Sequence, residues 1–212
     1  MRGLFEYTKQ AMFITCSLFI LCGLVYPFAV TGVAQVFFKQ QANGNLIQVD
    51  DKVVGSKNVG QAFTNPAYFS GRISAINYNV YTKEDTLPDV NGDIAFGGVS
   101  SGTYNYGPSN PELEKRIETD IVAFLNANPD VKREQIPADL MTASGSGLDP
   151  HISIEAAQIQ VSRVAQASGL SIKEINTIVL DNTENKVLGL LGEDKMNVLG
   201  SNIAIFQKIN EK

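Results

Sequence analysis

The 212-residue sequence contains no tryptophan, one histidine and two cysteines. Both cysteines, Cys16 and Cys22, lie in one apolar segment near the N-terminus, so the rest of the chain has no thiol with which to form a disulfide. One histidine, His151, with no cysteine nearby in the sequence makes a zinc site a poor hypothesis. We therefore expect the remaining residues to be stabilised by a packed apolar core alone.

Charge is missing from positions 10 to 38, a run of 29 mostly apolar residues. About 20 apolar residues span the ~30 Å hydrocarbon core of a bilayer, so this run is long enough for a transmembrane helix. The alternative is a cleaved secretory signal, with Gly32-Val33-Ala34 resembling a cleavage site. Signal cores are typically about 7–15 residues long, which favours a retained helix over residues 11–36.

Three residues of this run are candidates for helix packing in the membrane: Gly23, Pro27 and Gly32. Small residues let membrane helices approach closely, and a proline kink suits a helix that packs against partners. Ordinary membrane-helix composition is the alternative explanation for each of them.

The charges that flank the run predict its orientation. Arg2 and Lys9 outnumber Glu6 in the leading segment, so the positive-inside rule keeps the N-terminus in the cytoplasm and places residues 39–212 outside. Without these three residues, the chain's 17 basic and 22 acidic residues become 15 and 21, a net charge of −6. This acidic balance gives no indication of a nucleic-acid partner.

The predicted fold class is a single N-terminal transmembrane α-helix followed by a mixed α/β extracytoplasmic domain. The predicted segments are a cytoplasmic N-terminus at 1–10, the transmembrane helix at 11–36, a linker at 37–45 and the domain at 46–212, with a long loop at about 82–110.

Within the domain, residues 46–54 predict a hairpin that turns at Asp50-Asp51. A helix is predicted from Pro111 to about residue 128, with Ser109 and Asn110 as capping residues and a capping-box spacing between Ser109 and Glu112. Another is predicted from Ser153 to Gly169. A third helix is predicted from Ser171 to about residue 180, and a strand over residues 202–209.

The most unusual local sequence outside the apolar run is the segment 142–153, Thr-Ala-Ser-Gly-Ser-Gly-Leu-Asp-Pro-His-Ile-Ser. Its hydroxyls, glycines and position before a helix suit either an anion or a partner's carboxylate. A tight structural loop is the alternative. The candidate contact or structural residues are Ser144, Gly145, Ser146, Gly147, Asp149, Pro150, His151 and Ser153, with Gln160 and Arg163 in the following helix.

Two catalytic hypotheses have little support in the sequence. Ser146, Asp149 and His151 resemble a hydrolase triad only superficially, because triads usually unite distant residues and no Gly-x-Ser-x-Gly elbow is apparent. No Gly-x-x-x-x-Gly-Lys-Ser/Thr pattern occurs, so the residues alone do not suggest a nucleotide site.

Four groups of residues, in chain order, resemble the signatures of a known family. They are Val59-Gly60-Gln61-Ala62-Phe63 with Tyr68-Phe69 and Arg72-Ile73-Ser74-Ala75; Gly107-Pro108-Ser109-Asn110-Pro111 with Leu113; Ile136-Pro137-Ala138-Asp139-Leu140 through the segment 142–153 to Gln160 and Arg163-Val164-Ala165; and Gly189-Leu190-Leu191-Gly192-Glu193 with Asn197-Val198-Leu199. Together with one N-terminal apolar helix, the chain resembles the C chain of the Kdp potassium-transporting ATPase.

The resemblance implies a non-catalytic subunit of a high-affinity potassium uptake pump in the cell membrane. Its implied partners are a channel-like potassium-translocating chain, a P-type ATPase chain and membrane lipid, with no nucleic acid. ATP and K⁺ are then handled by the complex, and no cofactor is bound directly by this chain. In that family the C chain is described as a chaperone-like partner that raises the ATPase chain's affinity for ATP; direct ATP binding is the alternative, which the predicted orientation opposes.

Two departures from the family pattern concern the middle of the chain. Ile73 stands where the family usually has proline, and the segment between Tyr78 and Ser101 is longer and more acidic than expected. A family role for that loop is therefore not carried over to this sequence.

Overall fold

The computed structural model describes residues 2–211, which form two compact units, one ending at Val54 and the other beginning at Gly55. The first unit begins with α1 (Arg2–Ile20), a π-helical turn (Leu21–Val25) and α2 (Tyr26–Phe37). The continuous stretch Gly3–Phe37 has a mean hydropathy of 2.2 and is, within residues 2–211, the helix that is long and apolar enough to cross a membrane. The predicted long apolar helix is thus confirmed.

The π-helical turn lies immediately before Pro27. The backbone N–H of Tyr26 donates to the carbonyl of Leu21, five residues back instead of four. A proline ring clashes with the carbonyl four residues before it and cannot donate a hydrogen bond. The π-helical turn thus lies where the proline disturbs the α-helical hydrogen bonds, and it is the irregularity that a proline in this helix was expected to cause.

The predicted linker contains one helical turn, α3 (Lys39–Ala42), and the predicted hairpin is confirmed as β1 (Leu46–Val49) and β2 (Lys52–Ser56). Asp50 and Asp51 have φ values of 50° and 61°. Two left-handed residues in succession suit a tight hairpin turn, and aspartate tolerates this conformation better than most side chains.

The second unit combines short helices with a small sheet. Its elements are α4 (Pro111–Ala127), α5 (Ala138–Met141), β3 (His151–Ser153), α6 (Ile154–Gln158), α7 (Val161–Ser168), α8 (Ile172–Asp181), β4 (Thr183–Glu184), β5 (Lys195–Asn197) and α9 (Val198–Asn210). The sheet is antiparallel in the order β3-β5-β4, with Met196 opposite both Ile152 and Thr183. The mixed α/β class is confirmed.

The apolar core lies where α6, α7, α8 and α9 pack together with the sheet. Phe69 is fully buried there, although its chain segment has no regular secondary structure. The other fully buried large side chains of the core are Ile152, Val164, Ile175, Ile178, Val179, Met196 and Ile205. The segment around Phe69 must therefore be fixed by contacts other than a helix or strand ladder.

Two of the predicted helices differ from the prediction, one in its capping interaction and the other in its continuity. In α4 the N-cap is Asn110, whose side chain accepts a hydrogen bond from the N–H of Glu112, so the predicted capping box from Ser109 is wrong. The helix from Ser153 is divided after Gln158 and resumes at Val161, and it ends as predicted at Gly169, with φ 71°. Gln160 lies at this division, directly before α7.

The predicted strand over residues 202–209 is wrong, because this segment lies in α9. The side chain of Asn197 accepts a hydrogen bond from the N–H of Gly200 and caps the helix. Val198, Asn202 and Ile205 are buried at helical spacing. The β-branched isoleucines suggested a strand, but tertiary packing and the cap outweigh that local preference.

Among the described residues, the segment 82–110 has one helical turn at Glu84–Thr86 and one isolated bridge, between Pro88 and Ile94. The third helix is confirmed as α8, with the Ser171–Glu174 capping box formed.

Candidate functional site

An ion pair ties the segment 142–153 to a residue 77 positions earlier. Nη1 of Arg72 lies 2.9 Å from Oδ2 of Asp149, and both side chains are about three-quarters buried. The same guanidinium donates to the carbonyls of Asp139 and Thr142, at 3.2 and 3.4 Å. The guanidinium group of Arg72 thus bonds to three residues at once, Asp139, Thr142 and Asp149. Its several N–H donors in one plane suit it to this role.

The surroundings of Asp149 favour its charged form. Burial alone would raise its pKa, but hydrogen bonds from His151 and Arg72 outweigh burial and lower the pKa of Asp149 to about 2. Close by, burial and the charge of Asp149 raise the pKa of Tyr78 to about 12, while its hydroxyl donates to the carbonyl of Arg72 at 2.6 Å. Asp149 is therefore a fixed carboxylate and Tyr78 a fixed phenol at neutral pH.

A second carboxylate holds the start of α6. Both oxygens of Asp139 accept hydrogen bonds from Ser153, one from its N–H and one from its hydroxyl, each at 2.9 Å. The Ser153 hydroxyl oxygen also accepts from the N–H of Ala156, which makes it the N-cap. Ser153 is thus a structural cap, as one of the two alternatives predicted.

His151 lies between two carboxylates. Its Nδ1 is 3.5 Å from Oδ1 of Asp149 and its Nε2 is 3.5 Å from Oε2 of Glu184. Nε2 is buried and makes no hydrogen bond within residues 2–211. Glu184 also pairs with Lys57 at 2.9 Å, and the hydrogen bond from this lysine lowers the pKa of Glu184.

These groups line an open groove of about 340 Å³. Its walls are Arg72, Asp139, Asp149, His151, Ile152, Ser153, Glu193, Asp194 and Lys195. Among these residues, Arg72 already bonds to Asp139 and Asp149, and Asp139 bonds to Ser153. The arrangement is a polar network that opens to solvent at one side and in which Nε2 of His151 has no hydrogen-bond partner among the described residues.

The glycine-rich half of the segment is packed against the rest of the unit. Ser144 is buried, and its N–H donates to the carbonyl of Ile73 at 3.1 Å. The Ser74 hydroxyl donates to the carbonyl of Gly147 at 2.7 Å. Gly147 has φ 68°, and an added Cβ would lie 2.7 Å from Cγ1 of Ile76. Gly145, in contrast, has nothing within 4 Å of that position.

Gln160 and Arg163 contact a different part of the chain, the segment Pro66–Ser70. The Gln160 side chain accepts from the N–H of Ser70 at 2.9 Å and donates to its carbonyl at 3.3 Å. Arg163 donates to the carbonyls of Pro66 and Tyr68, at 2.6 and 2.9 Å, and burial lowers its pKa. Gln160 also donates to the carbonyl of Ala156, at the point where α6 ends and α7 begins.

Asn202 completes this arrangement from α9. Its amide accepts from the N–H of Phe69 at 2.8 Å and donates to the carbonyl of Phe69 at 2.9 Å. The side-chain amides of Gln160 and Asn202 thus take the place of a neighbouring strand. They give the backbone N–H and carbonyl groups of Phe69 and Ser70 their hydrogen-bond partners. The segment 142–153 and the pair Gln160 and Arg163 are therefore two separate clusters.

This chain matches a known protein family along nearly its whole length. The profile of the family described as K⁺-transporting ATPase, c chain (KdpC) matches residues 8–207. The chain belongs to the KdpC family.

Similar relatives carry the same name. A potassium-transporting ATPase KdpC subunit of Clostridioides difficile (strain 630) is 53% identical over 197 residues, which cover 93% of this chain and 95% of the relative. Those of Clostridium kluyveri and Caldanaerobacter subterraneus subsp. tengcongensis are 47% and 43% identical, each covering at least 97% of both chains. The predicted resemblance is thus confirmed, and the chain is a KdpC subunit of a K⁺-transporting ATPase.

Sequence reasoning missed several residues that organise this KdpC site. Arg72, Asp139, Glu184 and Asn202 hold the clusters together from positions 14 to 133 residues away from their partners. Arg72 and Asp139 lie within two of the family signatures, which is the signal that the sequence offers for them.

The serine triad that Ser146, Asp149 and His151 superficially resemble does not form in this chain. The Ser146 hydroxyl oxygen accepts from the N–H of Leu148 at 3.0 Å, while Nε2 of His151 faces Glu184. Triad chemistry requires the serine hydroxyl to donate to the histidine. Pro150 is another of the predicted candidate residues. Its carbonyl accepts a hydrogen bond from the backbone N–H of Val198 at 2.9 Å.

Gly23, Pro27 and Gly32 are exposed on the long apolar helix. Gly23 lies in the π-helical turn, and at Gly32 an added Cβ would meet nothing within 4 Å. Their predicted role in packing against another helix stays a prediction.

Proposed function

We propose that this chain is a non-catalytic subunit that stabilises the potassium uptake complex and promotes the activity of its P-type ATPase chain. Potassium translocation and ATP hydrolysis then take place on a channel-like chain and on the ATPase chain. The observation that carries the proposal is the family match over residues 8–207, which includes the apolar helix and the second unit together.

The polar network of the site supports a structural role. Arg72, Asp149, Asp139 and Ser153 satisfy one another, so a reacting group would have to replace existing hydrogen bonds. Gln160 and Arg163 are similarly committed to the segment Pro66–Ser70. Such hydrogen-bond networks cost free energy to break and make the surrounding structure rigid.

The charge flanks support an orientation in which the N-terminus is cytoplasmic and the second unit is extracytoplasmic. Arg2 and Lys9 precede the apolar run and Glu6 is the acid among them. In this orientation the second unit meets little ATP. Its effect on the ATPase chain would pass through the membrane helix or through the channel-like chain, against which the helix around Pro27 would dock.

Two measurements test the proposal. A reporter fused after Lys212 should be active only on the extracytoplasmic side, and a cytoplasmic C-terminus would instead favour the alternative of direct nucleotide binding around residues 142–163. A complex expressed without this chain should assemble poorly and lose potassium uptake. Normal uptake by that complex would refute an accessory role.

A further inference from the structure

The second unit carries a projecting apolar turn that neither cluster of the site explains. Val187 and Leu191 form an antiparallel bridge with backbone hydrogen bonds of 2.9 and 3.0 Å. We call residues 187–191 the apolar finger. Its large side chains are exposed to an unusual degree: Val187 63%, Leu188 87%, Leu190 84% and Leu191 64%. Contiguous exposed apolar side chains of this kind mark interaction sites.

The finger has a defined and strained conformation. Leu188 has φ 56° and Gly189 has φ 71°, so two left-handed residues form the turn. Glycine adopts this region freely, whereas a leucine there costs conformational free energy. Asparagine would suit the position better. The structure thus presents a leucine to solvent at a position where a polar residue would be both more stable and more soluble.

The base of the finger is anchored in the sheet. It leaves β4 after Glu184 and returns to β5 at Lys195, and these two residues pair directly. Across the base, the N–H of Lys186 donates to Oδ1 of Asp194 at 2.9 Å. The tip is therefore held by backbone and side-chain bonds and does not need a partner to form.

Bilayer lipid is a poor occupant for this tip. Segments that insert into membrane interfaces combine apolar side chains, leucine among them, with tryptophan, tyrosine and basic residues. Residues 185–194 contain one lysine, two acids and no aromatic residue, and residues 39–212 carry a net charge of −6. An anionic membrane surface would repel such a unit.

We propose that the apolar finger inserts into an apolar pocket on another chain of the same potassium-transporting complex, a pocket rimmed by basic side chains. The apolar interior matches the four exposed side chains. The basic rim matches the net negative charge of residues 185–194, in which Glu193 and Asp194 outnumber Lys186. The Glu193 side chain is 89% exposed and lies 3.6 Å from Nζ of Lys186. This inference rests on the proposed accessory function and specifies the surface through which it acts.

The test uses the full chain in detergent, titrated onto immobilised complex from which the unaltered chain has been stripped after assembly. The double variant Leu188→Gln with Leu190→Gln should weaken binding at least about 100-fold, since each buried leucine side chain contributes about a tenfold or greater effect. The matched control is Val122→Gln with Leu180→Gln, two side chains that are 56% and 69% exposed outside the finger. It should bind as the unaltered chain does.

Leu188→Asn separates docking from a structural role. Asparagine tolerates the left-handed conformation, so thermal unfolding of the variant should occur at the same or a higher temperature than for the unaltered chain. Binding should nevertheless fall about tenfold or more. A lower unfolding temperature with unchanged binding would show that Leu188 serves the fold and would overturn the proposal.

The other occupants give distinct outcomes. If a fluorophore at Leu190→Cys, in a Cys16→Ser, Cys22→Ser background, is quenched by lipid-attached quenchers in nanodiscs holding this chain alone, the finger lies in the bilayer and the proposal fails. It also fails if two differently tagged copies co-purify and the double variant abolishes this co-purification.

If the unaltered chain binds and restores uptake but the double variant does so equally, the finger proposal fails while the accessory function stands. If the unaltered chain neither binds nor restores uptake, the accessory function fails first.

Discussion

Two loops of the second unit have similar compositions and opposite hydrogen-bonding patterns. In the segment 142–153, the main contacts are with distant residues: Ser144 with Ile73, and Asp149 with Arg72. In the segment 82–98, the hydrogen bonds stay within the loop, as between Asp89 and Asp93, and the ring of Phe96 stacks on the nearby Tyr81. Both are rich in glycine and polar residues, yet the first is part of the fold and the second lies on its surface.

The difference shows that composition alone does not reveal whether a loop is constrained. Hydrogen bonds to distant parts of the chain form only when the whole unit folds, so residues that make them contribute to global stability. Bonds within a loop order that loop alone. Substitutions at equivalent residue types in the two loops should therefore have very different effects.

The largest contrast is expected at glycine. Gly147→Ala should destabilise the chain by about 3–5 kcal/mol, because alanine is strained at φ 68° and its Cβ would approach the Gly102 carbonyl to 2.8 Å. Gly145→Ala and Gly97→Ala have open space and no positive φ, and should change stability by less than about 0.5 kcal/mol. Denaturant unfolding of the full chain in detergent measures all three.

If Gly97→Ala destabilised the chain as much as Gly147→Ala, the segment 82–98 would be as constrained as 142–153, and the comparison would break. A small effect of Gly147→Ala would break it from the other side.

The ion pair of the first loop gives the next effect. Asp149 has a pKa lowered to about 2, so the stability that it contributes is present above its unfolded pKa of about 3.8 and is lost as the pH falls toward 2. Because the side chain is partly exposed, we expect about 1–2 kcal/mol from this carboxylate. Asp149→Asn should remove that loss between pH 4 and 2, and should lower stability at pH 7.

The control for this measurement is Glu155→Gln, which removes a carboxylate from the first turn of α6 and leaves the Arg72 pair intact. It should retain the acid-induced loss. An Asp149→Asn chain with the same pH profile as the unaltered chain would show that Arg72 and Asp149 do not stabilise the fold.

Elements with local causes were predictable from the sequence. The helix from Ser171 has its cap, its Glu174 partner and its apolar stripe within ten residues, and the prediction was confirmed. The π-helical turn at Pro27 and the hairpin turn at Asp50 and Asp51 also follow from neighbouring residues. In contrast, the isoleucines of α9 favoured a strand locally, and burial against the rest of the core decided for a helix.

The candidate site was predictable only in part for the same reason. The sequence singled out Asp149, His151 and Ser153 as polar residues in one segment. It contained no sign that Arg72 and Glu184 would meet them, since these contacts depend on how distant segments pack. The polarity that suggested a ligand is largely satisfied by the protein itself.

The smallest effect is expected in the second loop, at Asp89. Hydrogen bonds from the backbone N–H groups of Asp93 and Asn91 lower the pKa of this exposed carboxyl group, so its charged form orders the turn. Asp89→Asn should speed amide hydrogen exchange at Asn91 and Asp93 on the order of 3–10-fold and leave the rest of the second unit unchanged. Lowering the pH through the carboxyl pKa should do the same in the unaltered chain. In Asp149→Asn, by comparison, faster exchange should extend to the core around Phe69. Faster exchange there in Asp89→Asn would show that the second loop also helps to hold the core together.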